Sequence, residues 1–279
     1  MKIIKIITTI ICISIIGIYS CKKKDKDLID DNNKWVYLDS NTSTNIKIIQ
    51  VFAGNTPQIP TAVNLTTGPQ VFIYANGQKL NGLALSYGSP WPTTNVYGNL
   101  PSGLIKFDVI NARMDLTVVP NVPKFLTGDT LATFSSTLEK GKFYSLYIGD
   151  TVPSLKVTIK EDLFVEPKLE TYKIRFANFS MNNNPTDTFS IFSRRENKEI
   201  IFNISHKEVS DWVQLPIPIL SDTFELRKKG STVNYLNAIP SGAALPGFSP
   251  TPLRMYTIAV RGKTNITAKT NLATIYINR

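Results

Sequence analysis

The side chains able to do covalent or proton chemistry are few. His206 is the single histidine of the 279-residue chain, and Cys12 and Cys21 are its two cysteines. One imidazole excludes histidine-rich metal sites and paired-histidine relays. A Ser-His-Asp nucleophilic set would have to recruit His206 from the run His206-Lys207-Glu208, whose charge reads as exposed. Two carboxylates suffice for glycoside hydrolysis. The acids here fall mostly in contexts such as Gly128-Asp129-Thr130 and Gly149-Asp150-Thr151, where they read as turn formers. The sequence contains neither a glycine-rich phosphate loop nor a D-x-D-x-D-G calcium loop. It therefore predicts no catalytic residue, no metal site and no cofactor.

The cysteines point to an address instead. Lys2 and Lys5 precede an apolar run from Ile6 to Ile18, interrupted only by Thr8, Thr9 and Ser14. A membrane-spanning helix needs roughly 18–20 apolar residues. This shorter run fits the roughly 7–15 residues of a secretion-signal core. Ile18-Tyr19-Ser20-Cys21 resembles a lipobox, with Tyr19 where a small residue is usual. That resemblance implies cleavage before Cys21 and its conversion to a diacylglycerol-modified, acylated N-terminus. Several acyl chains, at about 0.8 kcal/mol per buried methylene, make such an anchor effectively permanent. The other reading is a soluble secreted protein with a chance cysteine. Cys12 lies within the removed segment, so the mature chain would have no disulfide and would rely on burial.

The formal charge is +10, of which the body after residue 34 carries about +7. Residues 22–34, KKKDKDLIDDNNK, have too little apolar content to fold alone and read as a tether. The basic clusters Arg194-Arg195 and Arg227-Lys228-Lys229 are short, and no aromatic-rich motif or basic helix accompanies them. They read as solvated strand faces rather than a nucleic-acid surface.

The elements that would position any site are strands. Leu155, Val157 and Ile159 alternate with Lys156, Thr158 and Lys160; Phe224 and Leu226 alternate with Thr223, Glu225 and Arg227; Ile275 and Ile277 alternate with Thr274, Tyr276 and Asn278. This period of two places apolar side chains on one sheet face and polar ones in water. Asn76-Gly77 after VFIYA is a hairpin turn signal. Ser205 and Glu208 have capping-box spacing, but Pro216 and Pro218 limit SHKEVSDWV to one helical turn.

The body repeats with a period of about 125 residues, too long for a solenoid. IKIIQVFAGNTP (46–57) corresponds to YKIRFANFSMNNNP (172–185), and VFIYANGQKL (71–80) to FSIFSRRENKEI (189–200). KFYSLYIGD (142–150) corresponds to MYTIAVRG (255–262), and LKVTIKED (155–162) to LATIYINR (272–279). The organisation expected is a signal at 1–20, a lipidated cysteine and tether at 21–44, and β-sandwiches at 45–165 and 166–279 that meet through the junction 161–171.

KIRFANFS (173–180), the following proline and FSIFS, with Phe72 to Gly77 and Gly141-Lys142-Phe143-Tyr144-Ser145, resemble the bacterial domain-of-unknown-function family numbered 4397. The first copy lacks the family's Arg and Ser, having Ile49 and Ala53 near those positions, and Arg194 to Lys198 replace its Asn-Gly turn in the second. The resemblance implies two tandem immunoglobulin-like antiparallel β-sandwiches in an all-β envelope protein, and brings no functional residues with it.

Binding on a sandwich usually resides in long loops. The insertions are 57–69, 86–98 and 112–135 in the first copy and 236–254 in the second. Tyr87, Trp91 and Tyr97 are the candidate ligand-binding residues, with Trp91 stiffened by Pro90 and Pro92 to stack on a sugar ring or a partner surface. The alternative is that Trp91 caps the core or packs on the other copy. The expected function is a non-catalytic, lipid-anchored binding or adhesion module of the cell envelope, most simply at an outer membrane, with a glycan or envelope-protein ligand. A structural accessory subunit is the second expectation and a polysaccharide hydrolase the third.

Overall fold

The computed structural model describes residues 42–52, 70–93, 96–113, 127–150, 155–181, 186–219, 221–235, 245–263 and 272–279. Cys21, the leader, nearly all of the expected tether, the insertion 57–69 and large parts of 112–135 and 236–254 lie outside the described residues.

The first half of the body has β1 (Ser43–Gln50), β2 (Gln70–Ala75), β3 (Gln78–Lys79), β4 (Pro90–Trp91), β5 (Gly98–Pro101), β6 (Gly103–Arg113), β7 (Thr130–Leu138), β8 (Phe143–Gly149) and β9 (Lys156–Glu161). The second has β10 (Thr171–Met181), β11 (Phe189–Ser193), β12 (Lys198–Ile204), β13 (Val213–Pro216), β14 (Asp222–Lys228), β15 (Leu245–Phe248), β16 (Met255–Lys263) and β17 (Leu272–Ile277). β1 starts at Ser43, so Ser43 and Thr44 are buried strand residues rather than the end of the tether.

Each half pairs two sheets. The orders are β4-β1-β8-β9, with β5 also on β1, and β3-β2-β6-β7 in the first; they are β13-β10-β16-β17 and β12-β11-β14-β15 in the second. Both halves run their opening strand parallel to the penultimate one, β1 with β8 and β10 with β16, and every other pairing is antiparallel. The segments matched in sequence thus occupy equivalent strands.

Alternation builds the two cores. Ile46, Ile48, Leu146 and Ile148 meet Val71, Ile73, Phe107 and Val109 between the first pair of sheets. Ile174, Phe176, Ile258 and Val260 meet Phe189, Ile191, Phe224 and Leu226 between the second. At the β2–β3 hairpin, Asn76 and Gly77 take φ of 48° and 81°, the two positive values a two-residue primed turn requires.

The other face of the alternation departs from expectation. On β1 and β10 the outward residues Lys47, Ile49, Arg175, Ala177 and Phe179 are buried, because the sheets holding these strands pack back to back. Ile49, Val51 and Tyr147 of the first half form a third apolar cluster with Ala177, Phe179, Ala259 and Tyr276 of the second. Tyr276 is therefore inside and Ile277 is exposed, the reverse of expectation at these two positions, while Ile275 packs on the second core as expected. Residues 40–279 form one compact unit.

Residues 205–213 contain no helix. The Ser205 N–H donates to the Glu208 carboxylate (2.8 Å) and the Glu208 N–H donates to the Ser205 carbonyl (3.1 Å), closing a single turn. Val209 then bridges to Ala177 of β10, so tertiary pairing takes the backbone that a helix would have used.

Candidate functional site at the buried seam

The richest convergence of polar side chains lies where the two halves meet. Arg175 projects from β10 away from its own core, because Ile174 and Phe176 on either side point inward. Its guanidinium is fully buried against the Asp162 carboxylate, contributed by the residue that follows β9 of the first half. Arg175 Nε donates to Thr257 Oγ1 (2.9 Å), and the Thr257 hydroxyl donates to Asn278 Oδ1 (2.7 Å). Asn278 Nδ2 donates to the Tyr97 oxygen (3.0 Å), and the Tyr97 hydroxyl donates to Asp162 Oδ2 (2.5 Å). Arg175 Nη1 closes this ring on Asp162 Oδ1. Ser145 lies across it, accepting from Arg175 Nη2 (3.0 Å) and donating to Asp162 Oδ2 (2.7 Å). Tyr147 accepts a further bond from Nη2 (3.3 Å), and the Trp212 ring covers the guanidinium at 4.3 Å.

Strand register shows why these residues meet. Lys47 stands opposite Ser145 in the β1–β8 pair, and Arg175 stands opposite Thr257 in the β10–β16 pair. Asp162 N–H donates to the Phe143 carbonyl (2.7 Å), and Asn278 N–H donates to the Met255 carbonyl (2.8 Å). Lys47, Ser145 and Asp162 in one copy are thus the equivalents of Arg175, Thr257 and Asn278 in the other, so pairing sets Lys47 at the Arg175 position, two residues before the Ile49 that the sequence match placed there. The outward faces meet so that each copy's cation reaches the far copy's closing segment. Arg175 finds a carboxylate there. Lys47 finds the Ile277 carbonyl (2.9 Å) and the Tyr97 ring (5.1 Å), because Asn278 replaces the acid.

Electrostatics follow from that asymmetry. Burial pushes the Lys47 amine down to about 8; Asp162 opposes the shift and Arg175 reinforces it. Burial also raises the Tyr97 phenol above its usual range, and nearby Asp162 raises it further. A cleft of about 330 Å³ opens beside Lys47, between Gly88, Ser89, Pro90 and Thr93 of the first half and Thr274 to Ile277 of β17.

The three aromatics read from sequence as ligand contacts all sit on this seam or on the core. Trp91 pairs with Ile48 of β1 and packs half-buried on the first core, its ring so close to Gly98 that a Cβ there would lie 2.5 Å from it. The Trp91–Pro92 peptide is cis. Tyr97 belongs to the hydrogen-bonded ring and meets Phe143 and Phe164 edge-on at 5.3 and 5.6 Å. The Tyr87 ring lies 4.7 Å from the guanidinium of Arg261 on β16, and burial raises its phenol to about 12. The described residues of the insertion 86–98 therefore help to dock the halves together, and Tyr87, Trp91 and Tyr97 each make internal contacts while remaining only partly buried. Its counterpart is 205–213, where Lys160 reaches Asp211 (3.1 Å) and Thr158 donates to the Lys207 carbonyl (3.2 Å).

His206 is half-buried rather than exposed, with burial and neighbouring Lys207 holding its pKa below the ordinary value. The basic clusters are also partly internal. Arg227 lies over the Phe192 ring (3.3 Å) and holds Glu225 through two bonds of 2.9 and 2.7 Å. Burial would raise the Glu225 pKa, but hydrogen bonds from Arg194 and Arg227 overcome it and lower the net value. Among the described residues, no three His, Cys, Asp or Glu side chains gather as a metal site would need.

What the seam can do chemically is limited by its own satisfaction. Asp162 already receives Arg175, Ser145 and Tyr97. A carboxylate so engaged is a clamp, not a poised base.

The chain is an all-β protein of paired sheets. No family model matches it, and no curated protein matches it. Solved structures similar to it include a candidate cell-adhesion protein of Bacteroides fragilis, at 12% identity, covering 84% of this chain and 98% of that one, with a TM-score of 0.18. A candidate adhesin of Bacteroides ovatus is similar at 11% identity, over 84% of this chain and 92% of that one, with a TM-score of 0.18. A fimbrial anchor protein of Porphyromonas gingivalis is similar at 10% identity, over 85% and 97%, with a TM-score of 0.15.

Proposed function

We propose that this chain is a non-catalytic binding or adhesion module of the cell envelope, fastened to a membrane through Cys21. The observation that carries the reading is the seam. Its convergent charged groups, Lys47, Asp162 and Arg175, are buried and committed to holding the two halves as one body. A rigid body following a polar, charge-rich tether suits display of a surface rather than turnover of a substrate. Ligand contacts then belong to the outer loops and strand edges, and a glycan or an envelope protein is the ligand class.

The reading is tested by offering the purified full chain to a glycan array and to envelope extracts, with polysaccharide turnover assayed in parallel. Saturable binding without turnover is expected. Hydrolysis of any polysaccharide overturns the proposal. Anchoring is tested separately: Cys21→Ser is expected to abolish acyl labelling and membrane association, and a variant that remains labelled and membrane-bound overturns the lipid anchor.

A further inference from the structure

Among the described residues, most strand edges of this protein carry some protection. An open edge presents unpaired N–H and C=O groups and is blunted in natural proteins by shortness, proline, charge or cover. β3 and β4 have two residues each; β4 and β5 contain Pro90 and Pro101, β13 contains Pro216 and β15 contains Pro246. β9 carries Lys156, Lys160 and Glu161, and β12 carries Lys198 and Glu199. β17 faces Gly88, Ser89 and Pro90 of the first half across a cleft, and its Ile277 carbonyl accepts from Lys47 (2.9 Å).

β7 is different. Its nine residues, TLATFSSTL, include no charge and no proline, and among the described residues it pairs with β6 alone. The groups it leaves open are identifiable. Lys106 on β6 turns both its backbone groups toward Asn76, its carbonyl accepting from the Asn76 N–H (2.8 Å) and its N–H donating to Asn76 Oδ1 (2.9 Å). Ser135, opposite Lys106, therefore turns its own N–H and C=O to the open side, and by alternation so do Thr133 and Thr137. These same three residues have exposed side chains.

We propose that β7 is a homophilic docking edge, on which a second copy of this chain pairs its own β7 antiparallel about a two-fold axis at Ser135. The pattern Thr133-x-Ser135-x-Thr137 is symmetric about its centre, so the pairing sets Ser135 against Ser135 and each Thr133 against a Thr137. Three such pairs make about six backbone hydrogen bonds, joined by hydroxyl and β-branched cross-strand contacts. On β6 like charges are kept apart: the two Lys106 side chains lie three strand spacings from each other, about 14 Å, beyond the screening length at physiological salt. The interface is isologous and closes at two copies.

The experiment uses the full chain in detergent with Cys12→Ser and Cys21→Ser, so that one introduced thiol is the only one present and the outcome is independent of anchoring. Ser135→Cys puts two sulfurs on the axis with Cα atoms about 5.5 Å apart, within disulfide reach. Thr137→Cys puts the equivalent Cα atoms about 13 Å apart along the strands, beyond it. Rapid disulfide dimerisation of Ser135→Cys, at least tenfold faster than Thr137→Cys, is expected. Adding Thr133→Pro to the Ser135→Cys chain removes one outward N–H and the Thr133–Asp108 side-chain bond (2.6 Å) but spares the β6 backbone ladder, and is expected to abolish the dimer while near-UV circular dichroism is unchanged. No dimer from Ser135→Cys, or equal rates for the two single variants, overturns the proposal.

Discussion

Arg175 on β10 and Asp162 after β9 form an ion pair with no solvent exposure of either side chain, and the pair joins the two halves of the body. Breaking one member of a buried pair leaves an uncompensated charge and costs about 3–5 kcal/mol. Arg175→Met is accordingly expected to lower unfolding stability by about that much in urea, with Asp162→Asn close behind. Because the residues share one network, the double variant is expected to resemble the worse single variant rather than their sum. Additive losses in the double-mutant cycle would show that the two groups do not act together.

How much of this was legible beforehand depends on which side of each strand is considered. The inward residues were readable from period two: Leu155, Val157 and Ile159, or Phe224 and Leu226, lie on the cores. The Asn76-Gly77 hairpin was readable because positive φ restricts the residue choice. The seam was not, since Lys47 and Arg175 look like ordinary water-facing residues between apolar neighbours. A signal existed nonetheless. After each cation the outward positions turn apolar, Ile49 and Val51 in one copy and Ala177 and Phe179 in the other, the mark of strands buried on both faces. Asp162 falls in the expected junction 161–171, where an acid beside a strand end carries no mark of burial, and only the pairing of the two halves places it against Arg175.

Trp91 separates packing from recognition. Its ring caps the first core against Gly98, so Trp91→Ala removes buried apolar surface. The expected loss is about 2–3 kcal/mol, below the 3–5 typical of a fully buried tryptophan because the side chain is half-exposed. Gly98→Ala is expected to destabilise as well, by pushing the ring from its seat. A Trp91→Ala variant with unchanged thermal stability and lost glycan binding would instead return Trp91 to the role of ligand contact.

His206, as the only histidine, gives a single imidazole signal in a nuclear magnetic resonance titration. Burial, reinforced by Lys207, holds its folded pKa below the unfolded value, with Asp150 opposing. As pH falls below about 6.5 the unfolded chain takes up this proton first. Stability is therefore expected to decline with acidification through that range, and His206→Gln is expected to reduce the slope. A midpoint at or above that of a free imidazole would contradict the half-buried placement.

Lys47 predicts the opposite end of the pH scale. Its amine is lowered to about 8 in the folded protein against 10.5 when free, chiefly by burial. Between those values the folded protein has released a proton that the unfolded chain still holds, so stability rises with pH across that window. The full shift corresponds to about 3 kcal/mol. The rise is opposed above about pH 10, because the raised phenols of Tyr87, Tyr97 and Tyr276 ionise first in the unfolded chain. Urea midpoints measured from pH 7 to pH 10 are thus expected to climb, and Lys47→Met is expected to flatten the climb. Because the amine also donates to the Ile277 carbonyl, Lys47→Met at pH 7 gives up that contact and removes the desolvation cost of a buried amine. At that pH the variant is expected to be at least as stable as the parent. A parent chain whose stability falls steadily from pH 7 to pH 10 would rule out a buried, depressed amine at the seam.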